Sequence, residues 1–199
     1  MANLSTASDQ EQIEALKKWG KKHGVNIIVG IAIGLVIVAG YQAYLDFKER
    51  ARITASNNYT RVLQNTGNAD AFLANHGDSV YATLVSFISS KSLIDESEYD
   101  QASKKLWWII DNSSNDAYVI MARINLAKIL VAQNKADEAL KVLGEKFLTF
   151  KHLAKVVQGD AYAQIGKKDL AKSAYDEALE GYENYPDTYT VIKLKINNL

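Results

Sequence analysis

Three histidines, His23, His76 and His152, and one acidic cluster, Asp95, Glu96, Glu98 and Asp100, are the side chains with the chemistry for metal binding or proton transfer. The histidines are far apart in sequence, and neither HExxH nor paired CxxC occurs. GxSxG, GxxxxGKS/T and GxGxxG are also absent, so no nucleophile elbow or phosphate cradle is encoded. The acidic cluster falls where a helix is expected to begin. Carboxylates there complement the helix dipole, so solvated capping is favoured over an ion site. The chain has no cysteine, hence neither a disulfide nor a thiolate site. No enzyme and no cofactor are expected, and function is expected to lie in surfaces that bind other proteins.

One stretch decides where those surfaces stand. From Val25 to Leu45 there is no Asp, Glu, Lys, Arg or His. As a helix the run is about 31 Å long at about 1.5 Å per residue, which matches the hydrocarbon layer of a bilayer. Asn26 and Gln42 sit near its ends, and Tyr41 and Tyr44 suit an interfacial position. The alternative is a removable signal peptide, cut near Val38-Ala39-Gly40. Against it, Asp9, Glu11 and Glu14 precede the run, the run is long, and Tyr41, Gln42 and Tyr44 crowd the cleavage zone. An uncleaved anchor is expected.

Lys17, Lys18, Lys21 and Lys22 lie before the run, and Lys48, Arg50 and Arg52 lie after it. That small excess of cations predicts a cytoplasmic N-terminus and a C-terminal domain on the far side. Within the span, Gly30 and Gly34 form a GxxxG pair. Such a pair lets a partner's membrane helix approach closely, although glycine is also simply common in membrane helices.

The chain holds 23 basic and 23 acidic residues, and the part beyond the span has no basic block. This argues against nucleic acid as a partner. A single proline, Pro186, points to an all-α protein, because helix interiors exclude proline. Phe47, Ala51, Ala55, Tyr59 and Val62 mark one face of a helix that continues from the span. Asn65 to Asn68 breaks it. His76 to Ser79 is a second loop, with Asp78 or Ser79 capping a helix from Val80.

From there the chain repeats itself. Gly159, Tyr162, Gly166, Ala171, Tyr175 and Ala178 describe a helical hairpin with small residues at the close approach and aromatics between. The pattern resembles a tetratricopeptide repeat, with Pro186 ending it slightly late. Ala127, Leu130, Asn134, Ala139 and Leu143 repeat it one unit earlier, and Ser90, Leu93, Ser97, Ala102, Leu106 and Ile109 one unit before that. Tyr189, Ile192, Ile196 and Leu199 fit a terminal capping helix. The expected fold is all-α: one N-terminal transmembrane helix followed by an α-solenoid of tetratricopeptide-like hairpins. The expected segments are 1–24, 25–45 and 46–199.

The first helices of such hairpins line a concave face used for binding. Here that face would take Leu84, Phe87, Ile88 and Lys91, then Met121, Ile124, Asn125, Lys128 and Val131, then Leu153, Val156, Val157, Asp160 and Gln164. It is too apolar to clamp a charged peptide terminus. These residues either belong to the core between hairpins or form a groove for apolar segments of unfolded chains. On the second reading, charges at Met121 and Val157 would weaken binding and leave the fold intact. Trp107 lies at the edge of the inward stripe, and Trp108 lies nearly opposite, covered by the next hairpin or free to anchor a partner.

The whole arrangement resembles the YfgM-like family of ancillary SecYEG translocon subunits. The likeness rests on Asp9, Gln10 and Glu11 leading to Lys17, Lys18 and Trp19, and on the glycine-punctuated span. It rests also on Tyr81 to Leu84 with Glu98 to Ala102, on the repeat from Gly159, and on the ending Lys193 to Leu199. The resemblance implies a single-pass protein of the bacterial inner membrane with a cytoplasmic N-terminus and a periplasmic repeat domain. Its partners would be the SecYEG translocon, a membrane-anchored periplasmic chaperone of the parvulin type, and newly exported unfolded chains. The alternative is an assembly adaptor for another envelope machine, without client binding.

Overall fold

The computed structural model describes residues 5–144 and 149–199. Residues 1–4 of the expected N-terminal segment and 145–148 of the expected repeat domain lie outside them. Backbone contacts divide the chain into Met1–Thr54 and Ala55–Leu199.

In the first unit the backbone is the helix α1, which runs Ser5–Gln64 and so continues into the second. Among the described residues, α1 is the one helix long and apolar enough to cross a membrane. None of its apolar window is buried against protein; Val36 is 72% exposed and Leu35 65%. A Cβ added at Gly30 or Gly34 would meet nothing within 4 Å.

The second unit is helical in all its regular structure among the described residues. After the end of α1 come a 3-10 turn, Thr66–Asn68, and α2, Ala69–His76. Three hairpins follow: α3 (Val80–Asp95) with α4 (Tyr99–Asn112), α5 (Asp116–Ala132) with α6 (Ala136–Leu143), and α7 (Lys151–Gln164) with α8 (Lys168–Leu179). Helix α9, Pro186–Asn197, packs on α8.

The three hairpin turns are closed by one device. Ser97, Asn134 and Gly166, the equivalent residues of the sequence repeats, have φ of 65°, 61° and 74°. The next amide donates back to the carbonyl of the third-last helical residue in each: Glu98 N to Leu93 O at 2.7 Å, Lys135 N to Leu130 O at 2.8 Å, Lys167 N to Tyr162 O at 2.9 Å. The left-handed residue itself donates to Ile94, Val131 and Ala163. This paired pattern is the Schellman motif, which satisfies carbonyls that a helix end leaves open. Glycine adopts the conformation freely and asparagine tolerates it; serine at 97 carries strain.

Apolar spacing then builds the core. Ala102, Leu106 and Ile109, at spacings of four and three, are fully buried on α4 against Ile124, Leu126 and Ile129 of α5 and Leu143 of α6. Each fully buried Leu or Ile contributes about 1.5–3 kcal/mol. A second cluster joins Ala55 and Val62 to Phe72, Ala82 and Val85, and a third joins Ala171, Tyr175 and Ala178 to Ile192. In the third hairpin, a Cβ on Gly159 would lie 2.5 Å from the Tyr175 ring. The aromatic therefore fills the space within its own hairpin rather than between neighbours.

Several expectations change. Phe47 and Ala51 are exposed, so the buried face of α1 begins only at Ala55. Helix α2 occupies a stretch that carries no repeat pattern. Pro186 starts α9 at its first turn, where a missing N–H costs nothing, instead of ending the third hairpin. Trp108 is half-buried, packed both on the repeat core and on the cluster of α2 and α3, with its ring 3.7 Å from a Cβ placed at Gly77, while Trp107 is 45% exposed. The acidic cluster straddles the α3–α4 turn: Asp95 ends α3 and pairs with Lys91, whereas Glu98 and Asp100 begin α4.

Candidate protein-binding face

The first helices α3, α5 and α7 carry the residues expected to bind. The structure sorts them into four kinds. Ile124 and Val157 are 0% and 1% exposed within the core. They are withdrawn from the binding face, because the stripe that the sequence offers as a groove is the same stripe that joins adjacent hairpins. A charge at Val157 would break the core, not probe a surface. Phe87, Val131 and Leu153 are half-buried against that core, and Val156 against the third cluster. Phe87 also meets Tyr118 of α5 edge-on, ring centroids 6.2 Å apart.

Asp160 and Gln164 hold helices together. Tyr175 donates to Asp160 Oδ1 at 2.6 Å and Lys195 reaches the same oxygen at 2.5 Å, so α7, α8 and α9 meet at one carboxylate. Burial, then the Asp160 hydrogen bond and charge, push the Tyr175 hydroxyl well above the usual tyrosine range. Gln164 Nε2 donates to Val131 O at 2.9 Å and Asn134 Oδ1 at 3.0 Å, tying α7 to the α5–α6 turn. Sequence periodicity names these residues without revealing these duties, because their partners lie 15 to 35 residues away on other elements.

What is left is accessible. Leu84, Ile88 and Met121 are half-buried and stand outside the three core clusters of the described residues. Lys91, Asn125 and Lys128 flank them, and Lys91 pairs with Asp95 at 2.8 Å. Desolvation lowers the Lys128 ammonium below the ordinary lysine range, with Asp160 opposing the shift. The accessible residues are thus three apolar side chains, a carboxamide and two lysines, one of them paired. The histidines serve packing: Asn58 Nδ2 lies 2.8 Å from His76 Nε2, and the His152 ring closes on Gly181, with Nδ1 3.1 Å from Glu177 O. No group of three or more metal-ligating side chains occurs among the described residues.

A membrane-compatible helix joined to stacked helical hairpins defines a repeat protein of the interaction class. The model of the tetratricopeptide repeat-like domain family matches residues 17–199, and the chain belongs to that family. It is similar to proteins named ancillary SecYEG translocon subunit. The relative from Escherichia coli K12 is 24% identical, over 96% of this chain and 97% of the relative. That from Haemophilus influenzae is 20% identical over 96% and 97%, and that from Buchnera aphidicola 28% over 74% and 73%. No solved structure gives a significant match.

Proposed function

We propose that this protein is a single-span inner-membrane subunit that associates with the SecYEG translocon and binds exported chains on the periplasmic side. The similarity over nearly full length to relatives named ancillary SecYEG translocon subunit supports the association. The observation that carries client binding is the trio Leu84, Ile88 and Met121, apolar side chains left outside the core on the face of the first helices. Half-exposed apolar groups take up apolar segments of unfolded chains, releasing water from both surfaces. A parvulin-type membrane-anchored chaperone is the partner to which such clients would pass. The Lys17 to Lys22 cations orient the anchor with its N-terminus in the cytoplasm, and Gly30 and Gly34 leave room for a neighbouring membrane helix.

In-cell photocrosslinking tests both halves. A probe at Ile31 is expected to trap translocon subunits, and one at Met121 to trap exported chains or a chaperone. Met121→Glu is expected to weaken client capture by about tenfold while the melting temperature holds, since a half-exposed side chain costs little to exchange. One unrelated envelope protein at both probes would overturn the reading and make the chain an assembly adaptor.

A further inference from the structure

A second binding feature lies away from the first-helix face, between the last turns of α1 and α2. It is a cleft of about 310 Å³, near the small end of the usual range of roughly 300–1,000 Å³ for ligand sites. Its polar lining is Asn58, Arg61, Asn68, Asn75 and His76, and Phe72 faces it with Val62. Both apolar residues are almost wholly buried by the fold beneath. Among the described residues no carboxylate lines it.

The polar groups are held but not exhausted. Asn58 Nδ2 is a donor, so its 2.8 Å contact makes His76 Nε2 the acceptor and leaves Asn58 Oδ1 open. Phe72 fixes the imidazole from the other side, ring centroids 5.1 Å apart. Asn75 spends one amide hydrogen on Ala71 O at 2.7 Å and keeps its carbonyl oxygen. Asn68 stands at the N-cap of α2 yet makes no cap bond with its side chain, so its whole carboxamide is available. Arg61 lies in the last turn of α1, exposed, and no acid pairs with it among the described residues. Its planar fork matches a carboxylate in two parallel hydrogen bonds.

We propose that this cleft binds the C-terminal carboxylate of an extended peptide. Arg61 takes the carboxylate. The Asn58, Asn68 and Asn75 carboxamides each offer the donor and acceptor of a peptide group, and so pair with backbone. A single permanent cation suits a monoanion better than a phosphate. The three carboxamides favour a peptide over a simple fatty acid, which has no amide to pair with them. The site stands apart from the first-helix face and does not depend on client binding there.

The test is fluorescence anisotropy on the full chain in detergent micelles, with a fluorescein-labelled Gly-Ser-Gly-Ala-Val-Leu peptide. Saturable binding is expected with the free carboxylate and about tenfold weaker binding with the C-terminal amide. Arg61→Gln is expected to lose about tenfold with unchanged thermal melting, and Asn58→Ala several-fold, while Met121→Glu binds as the parent does. Equal binding of the amidated peptide, full affinity in Arg61→Gln, or no binding up to about 1 mM would each overturn the proposal. So would displacement by acetate as readily as by unlabelled peptide, which would make this a small-anion site. Loss on Met121→Glu but not on Arg61→Gln would assign the peptide to the first-helix face instead.

Discussion

The apolar run of α1 and the stripe on α5 are built from the same residue types and end in opposite surroundings. Val36 is 72% exposed, whereas Ile124 of α5 is wholly buried. On α5 apolar and small residues occur on every side, yet Arg123 and Lys128 remain at the surface. The run in α1 has no charged position for 21 residues, and no protein covers it. Leucine and isoleucine avoid water in both places. The repeat core removes them from water with other side chains, and the N-terminal run requires lipid to do so.

The sharpest way to break that comparison is a charge placed in each region. Leu106→Asp puts a carboxylate among fully buried side chains and should cost several kcal/mol, unfolding the repeat unit in a circular-dichroism melt. Leu35→Asp should leave that melt unchanged and instead oppose membrane insertion by about 2.5–3.5 kcal/mol, read as protein released by carbonate extraction. A loss of repeat stability in Leu35→Asp would mean that the run is packed on protein.

Smaller changes sharpen the picture inside the repeats. Gly159→Val forces the Tyr175 ring away and should cost about 1–3 kcal/mol, seen as a lowered denaturant midpoint. The same contact has a pH signature. The folded Tyr175 hydroxyl titrates above its unfolded value, so its contribution to stability is complete below pH about 10 and is lost as pH rises beyond it. Denaturant midpoints from pH 8 to 11 should therefore fall more steeply in the parent than in Tyr175→Phe. Equal slopes would mean that Tyr175 is not desolvated. The smallest effect is expected from Ser97→Gly, which relieves a left-handed serine and should raise stability by about 1 kcal/mol.

Periodicity and turn chemistry made much of this architecture legible. The hairpin spacing located Ser97, Asn134 and Gly166, and all three have positive φ. Ala102, Leu106 and Ile109 were legible as an inward face because a helix brings positions three and four apart to one side. The binding face was legible only in outline. Ile124 and Met121 look alike in the pattern, and packing alone sends one into the core and leaves the other half-open. The α1–α2 cleft left no trace, since Arg61 and His76 share no helix, and no periodic pattern covers α2.

By itself, then, the sequence determined the helical character, the apolar run, the repeat unit and its turns, because each depends on residues near one another in the chain. Tertiary structure decided that Asp160 joins three helices, that Trp108 is half-buried while Trp107 is exposed, and that three carboxamides and an arginine surround one cleft. Those outcomes depend on which surfaces meet when helices stack, and side-chain shape over long sequence separations sets that meeting.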